Sequence, residues 1–322
     1  MNYIKDNGMM EKLPFWKFGG KSSSAEKYLF ENENGSGQML LYNVLPGLKL
    51  AVTELNGSTM NFYHHAVSGV MQVNYCLNGR MGWVMQGGRS IYLGQGDVSF
   101  HMMDCCTVSG ITLPLGHYSG IALFVDLNMA AQPFAETLNL SDVDLPAWAE
   151  KFCRGGEVTV WPGAAEIADM FALLPRVKSE YRQAYFKLKA QEILLFLAVY
   201  GVPHLKTAES CEERYMEIIK KIHAKITGSW QEHYTIEQLA REHSINASVL
   251  KKVFKMVYGK PMAQYMKEYR MRKAAALLVA GSSSVAEIAA AAGYGSQSKF
   301  AAAFKQVMQL APSEYRIRYG KK

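Results

Sequence analysis

The chain has 322 residues, too many for one typical domain, with 49% hydrophobic and 20% charged residues. That balance excludes a disordered chain, a collagen and a coiled-coil rod, and makes two domains the expectation. The net charge of +7 is uneven: residues 212–322 hold 19 Lys+Arg against 9 Asp+Glu, and residues 1–211 hold 16 against 19, which points the back half at a polyanion.

From Met1 the chain shows no apolar stretch of signal-peptide length. Its longest apolar run, 193–200, is far short of the ~20 residues that span a bilayer. The expectation is a soluble, cytoplasmic protein with no membrane partner. The five cysteines form no C-x-x-C pair, and an odd count argues against a complete disulfide framework. The vicinal pair Cys105-Cys106 fits a buried strand better than a thiol sensor.

The first ~35 residues are polar and glycine-rich and are given no firm structure. From 38 to 127 short apolar or alternating runs are broken by turn residues. Pro46-Gly47 ends the first run, Asn56-Gly57 the second and Asn78-Gly79 the third, the last reading as a hairpin. Gly87-Gly88 and Gly94-Gln95-Gly96 close the next two, and 98–103 and 121–127 complete the series. Many short strands with frequent turns predict a small β-barrel or sandwich. After Pro162 the period becomes helical, over 164–174 and 185–200, with Pro175 at the break. The stripe Leu188, Ile193, Leu194, Leu197 and Ala198 either covers the barrel or meets a second copy. Residues 201–212 read as a linker.

Beyond the linker the chain is helical almost to its end. Thr235 caps a short helix to Glu242, a turn follows at 243–246 with Ile245 buried, and a second helix runs over 247–257. Leu250, Val253, Phe254 and Val257 face in, and Ser248, Lys251, Lys252 and Lys255 face out. This is the helix-turn-helix layout. It recurs: Ser284 caps, Ile288, Ala289 and Ala292 face in, Gly293 turns, and a helix from about Ser296 buries Phe300, Phe304 and Val307. Ala240 to Ala289 and Phe254 to Phe304 are nearly constant offsets. Between the two motifs, Met262–Ala280 makes a rod of ~30 Å, close to the ~34 Å between successive major-groove faces on one side of DNA.

The pieces Ile236-Glu237-Gln238-Leu239-Ala240, Leu250-Lys251-Lys252-Val253-Phe254-Lys255, Tyr269-Arg270-Met271, Ile288-Ala289, Gly293-Tyr294 and Pro312-Ser313-Glu314-Tyr315-Arg316 resemble the C-terminal DNA-binding domain of the AraC family of transcription regulators. Ser244 and Gln309 stand where that family usually has glycine. The segments 74–80 and 92–97 are similar to the cupin-like sensor barrels that precede this domain in many members, including a siderophore-sensing subgroup. The resemblance implies an α+β protein: a cupin-like β-barrel (about 38–127) with two following helices (about 162–200) in a sensor and dimerisation domain at 1–200, then a linker at 201–212. An all-α domain at 213–322 follows, with two helix-turn-helix units joined by a linker helix. It also implies a transcription activator that binds double-stranded DNA as a homodimer, contacts RNA polymerase and responds to a small-molecule effector.

Position on the helices assigns Ser248, Lys251, Lys252, Gln297 and Ser298 to base edges, and Lys255, Lys299 and Lys305 to phosphate. Ala247, at a helix N-terminus, offers its amide to phosphate. The outward run Ala301-Ala302-Ala303 offers only apolar contact, so the first motif is expected to specify sequence and the second to position. Tyr75, Trp83, Met85, Phe100 and His101 are the candidate effector-pocket residues. A metal-dependent cupin enzyme is the third reading, after an effector-responsive regulator and one controlled by abundance or a protein partner. The adjacent His64-His65 lie on opposite faces of a strand, and no H-x-H pair occurs in the barrel. No G-x-S-x-G or Walker loop occurs, so no metal, cofactor or enzymatic activity is expected.

Overall fold

In a computed structural model, residues 9–320 are described, except 23, 64, 86, 87, 105–107, 142, 203 and 282. His64 and the Cys105-Cys106 pair therefore lie outside the described residues. The chain divides into two compact units, Met1–Glu212 and Glu213–Lys322.

The first unit holds strands β1 (Lys17–Lys21), β2 (Glu26–Asn32), β3 (Gly35–Leu45), β4 (Leu48–Gly57), β5 (Thr59–Tyr63), β6 (Val70–Met85) and β7 (Arg89–Gly94). Then come β8 (Val98–Met102), β9 (Val108–Thr112), β10 (His117–Asp126), β11 (Thr159–Trp161), β12 (Lys206–Thr207) and β13 (Ser210–Glu212). They form an open sheet of order β1-β2-β3-β4-β10-β6-β8-β11-β12, with β7 and β13 on one branch and β5 and β9 on another.

The 16-residue β6 is the pivot. Its first half pairs with β8 and β10, and its second half pairs with β7. The hairpin expected at Asn78-Gly79 is not made there, because β6 runs straight through. Opposite it, Ser119 pairs with Asn78 and Gly120 with Cys76, so one extra residue bulges out of β6. Gly79 takes φ +80°, and a Cβ there would sit 2.2 Å from the His117 carbonyl oxygen. Only glycine fits at 79, just past the extra residue Leu77, and the bulge bends the strand from one ladder into the next.

Four helices cover one face of the sheet: α1 (Ala131–Leu138), α2 (Leu145–Phe152), α3 (Ala165–Ala172) and α4 (Arg182–Tyr200). Each buries one phenylalanine almost completely: Phe134, Phe152, Phe171 and Phe186. Three of these rings meet sheet aromatics, with Phe171 on Tyr75, Phe152 on Phe100 and Phe186 on Tyr42. Burying such a side chain contributes about 1.5–3 kcal/mol, so these four anchors hold the helix layer to the sheet. The sequence reading missed β1, β2, β5, β9, α1 and α2. The expected linker is also partly strand, since β12 pairs with β11 and β13 with β7.

The second unit is helical: α5 (Glu213–Gly228), α6 (Ile236–Glu242), α7 (Ala247–Tyr258), α8 (Met262–Ala280), α9 (Val285–Ala291), α10 (Gln297–Met308) and α11 (Pro312–Tyr319). Met271, Ala274 and Leu278 of α8 pack with Ile288, Ala289, Phe300 and Phe304 in one core. No helix among the described residues is long and apolar enough to cross a membrane.

Candidate nucleic-acid interface and ligand cavity

Two motifs of the second unit are built from the same local bonds. At the start of α6 the Gln238 amide donates to the Thr235 hydroxyl at 3.1 Å, and the Thr235 amide donates to the Gln238 side chain at 2.8 Å. Before α9, Ser284 and Glu287 repeat the pair at 3.2 and 2.7 Å. Both are capping boxes, which satisfy otherwise orphaned amides at the helix start. Each turn is then closed alike. Ile245 N–H donates to the Ala240 carbonyl at 2.9 Å, and Tyr294 N–H to the Ala289 carbonyl at 3.0 Å.

The turns need left-handed backbone, which glycine adopts without strain. Gly293 supplies it at φ +77°, and Ser244 takes φ +50° at the matching place in the first motif. After the second helix of each motif the roles reverse: Gly259 sits at φ +78° and Gln309 at φ +61°. The two departures from glycine are thus left-handed positions carrying a side chain.

On α7, Leu250, Val253, Phe254 and Val257 are buried, while Ser248, Lys251, Lys252 and Lys255 are exposed. Ala247 is half-buried in the first turn. The Ser248 hydroxyl donates to the Asn246 side chain at 2.7 Å, and that same oxygen caps the helix by accepting from Ser248 N–H at 2.8 Å. Lys251 Nζ lies 3.9 Å from Glu237 of α6, an exposed pair that contributes little to stability. On α10, Gln297, Ser298, Lys299 and Lys305 are exposed. Ala303 corrects the expected outward run: it is buried with Phe300 and Phe304, leaving Ala302 exposed and Ala301 half-buried. Ile245 and Val307, expected in the core, are half-buried. Ile245 sits in the turn and Val307 in the last turn of α10, where fewer neighbours can cover a side chain.

One residue, quoted above within a motif but with no contact assigned to it, ties the parts together. Arg270, mid-way along α8, is 8% exposed and donates to the carbonyls of Trp230 at 2.7 Å and Glu232 at 2.6 Å. From the same segment, the His233 ring donates to the Gly293 carbonyl at 3.0 Å. A Cβ on Gly293 would stand 2.5 Å from the Gln231 carbonyl oxygen. The segment between α5 and α6 is therefore bonded to α8 and packed on the turn of the second motif.

In the first unit a cavity of about 150 Å³ lies against the sheet. Trp83 and His101 line it, but the other three candidate effector residues do not. Successive strand residues point to opposite faces, so Phe100 and His101 cannot share one pocket. Phe100 stacks on Phe152 and Tyr75 on Phe171, both on the helix side. Met85 packs at the margin of the core cluster that contains Trp83 and Ile91 and does not reach the cavity. The sequence reading missed Gln72 and Asn74 on β6, Thr53 and Leu55 on β4, and Tyr118, Ala122 and Phe124 on β10. Register brings them together: Gln72 stands between His101 and Phe124, and Asn74 between Ser99 and Ala122. The alternation around His101 was the signal available for them.

None of the three described cysteines of this unit is placed as a reactive centre. Cys76, Cys153 and Cys211 are buried. Burial, with the Asp97 charge adding to it, pushes the Cys76 thiol up to about 12, leaving almost no thiolate near neutral pH.

Comparison with known proteins bears on the second unit. The family described as "Helix-turn-helix domain" matches residues 239–318. The chain is similar to the HTH-type transcriptional activator RhaR of Mannheimia succiniciproducens, 29% identical over 119 residues, or 36% of this chain and 43% of that protein. It is also similar to a putative AraC-like transcription regulator of Streptomyces lividans, 31% identical over 121 residues, or 38% of this chain and 35% of that protein. Among solved structures, the C-terminal domain of AraT, a response regulator from Geobacillus stearothermophilus, is 27% identical, with a TM-score of 0.32 over 33% of this chain and 88% of that one. The chain thus spans less than half the length of these two curated relatives. With its paired capped helices and the match across them, the second unit carries a helix-turn-helix domain of the AraC family.

Proposed function

We propose that this protein is a sequence-specific DNA-binding transcription activator rather than an enzyme. The observation that carries the reading is α7: one face is buried, and the other presents Ser248, Lys251, Lys252 and Lys255 to solvent from a helix held at a fixed turn. In this reading Lys252 donates to guanine, Lys255, Lys299 and Lys305 neutralise phosphate, and the Ala247 amide approaches a phosphate. Gln297 and Ser298 read from α10, whose exposed Ala302 adds only apolar contact. The first motif specifies sequence and the second positions it. The relatives named as transcriptional activators support the same function.

The first unit serves as a cupin-like sensor, with its effector in the cavity beside Trp83 and His101. The active species is a homodimer in the cytoplasm, recruiting RNA polymerase. Support for the dimer comes from α4. Ile193, Leu194 and Leu197 are buried on one side, yet Tyr181 just before the helix and Leu188, Val199 and Tyr200 on it are 63–72% exposed. Large apolar side chains left in water along one helix favour an association surface there. Selection of binding sites from random duplexes with the full chain tests the DNA reading. One strictly specified half-site beside a tolerant one is expected, and equal strictness in both halves contradicts the division of labour.

A further inference from the structure

We propose that the cavity of the first unit takes an uncharged single-ring molecule bearing a hydroxyl, of the phenol class; this rests on reading that cavity as the effector site. Size comes first. About 150 Å³ matches the volume that accommodates a benzene-sized guest, and drug-sized ligands need roughly 300 Å³ or more.

Charge comes second. Among the described residues lining the cavity there is no Asp, Glu, Lys or Arg. An ammonium buried there would lose its hydration and gain no opposite charge, and a carboxylate would face no cation but the imidazole of His101, at a large cost in either case. The walls are instead Trp16, Trp83 and Phe124, with Met39, Met81 and Met103 as adaptable fillers.

The polar end is directional. Gln72 Nε2 donates to Asn74 Oδ1 at 2.7 Å, and Asn74 Nδ2 donates to Ser99 Oγ at 3.2 Å. This chain fixes the orientation of both amides. Each Nε2 or Nδ2 carries a second N–H, and the Gln72 carbonyl oxygen is an acceptor. Donor and acceptor standing side by side suit a hydroxyl, which both gives and receives. An unsubstituted hydrocarbon ring would leave these groups unanswered.

The test uses the full-length protein with p-cresol, toluene and 4-methylbenzoate as probes, read by melting temperature and tryptophan fluorescence. The expected result is a concentration-dependent rise in melting temperature with p-cresol, weaker binding of toluene and none of 4-methylbenzoate. Gln72→Leu should weaken p-cresol by roughly three- to tenfold, the loss of about one hydrogen bond, and leave toluene unchanged. Binding of 4-methylbenzoate as tightly as p-cresol, or of p-cresol no better than toluene, overturns the ligand class while leaving the site standing. If no probe binds and Ala122→Leu melts above the wild type, the cavity is a packing void and the effector-site reading fails with it. Preference for a selected duplex over a scrambled one, measured on the same samples, reports separately on the DNA reading.

Discussion

Ser244 and Gln309 hold the left-handed backbone that glycine holds at Gly293 and Gly259. A side chain there costs about 1–2 kcal/mol, partly offset because glycine gains more freedom in the unfolded chain. Ser244→Gly and Gln309→Gly should therefore each raise stability, by about 0.5–1 kcal/mol, in denaturant titrations; a loss of stability would show that the side chain itself is needed. Arg270 is the opposite case: a buried cation with two carbonyl partners. Arg270→Met strips both bonds from the segment before α6, and about 2–4 kcal/mol of destabilisation is expected. The glycine departures could be read from the sequence because the φ requirement belongs to one residue and its turn. The role of Arg270 could not, since its partners lie about 40 residues away and depend on how α8 packs.

Helix boundaries in the second unit were legible because capping is local: Thr235 and Ser284 each announce a helix within three residues. Thr235→Ala or Ser284→Ala should cost about 1 kcal/mol each, measured as a drop in denaturation midpoint. The strand pattern of the first unit was less legible. Asn78-Gly79 carries the chemistry of a hairpin, yet the neighbouring β10 turns it into a bulge, a decision made by pairing rather than by the dipeptide. The candidate pocket residues divide for a related reason: the two faces of β8 put Phe100 on the helix side and His101 in the cavity. Where α5, α7 and α8 meet, His223 stacks on Tyr258 and bonds to the Tyr265 hydroxyl at 2.8 Å. Burial holds its pKa below the usual histidine value. The folded state thus resists a proton that the unfolded chain accepts near pH 6.5. Stability from this group is complete above about pH 6.5 and falls with pH down toward the lower folded value. His223→Gln should flatten that part of the melting temperature profile; an unchanged acid slope would assign it to other groups.

At the scale of the molecule, charge separates the two units more clearly than any motif, and it made the polyanion reading possible before any fold was known. The proposed self-association surface is only half legible in the sequence. The α4 stripe was seen, but its split into a buried side and an exposed side depends on which residues the sheet covers. Leu188→Glu with Val199→Glu should convert dimer to monomer in sedimentation equilibrium with little effect on folding; an unchanged dimer would move the interface elsewhere.

The central claim is that α7 reads DNA sequence. Equilibrium binding of the full-length protein to its selected duplex and to a scrambled one, followed by anisotropy across a salt series, tests it most directly. The account predicts a clear preference for the selected duplex and affinity that falls steeply with salt. Lys255→Ala should lower the salt slope by about one, and Lys252→Ala should erase about 1–3 kcal/mol of the preference. Equal affinity for both duplexes at every salt concentration, with both variants behaving as the wild type, would contradict it.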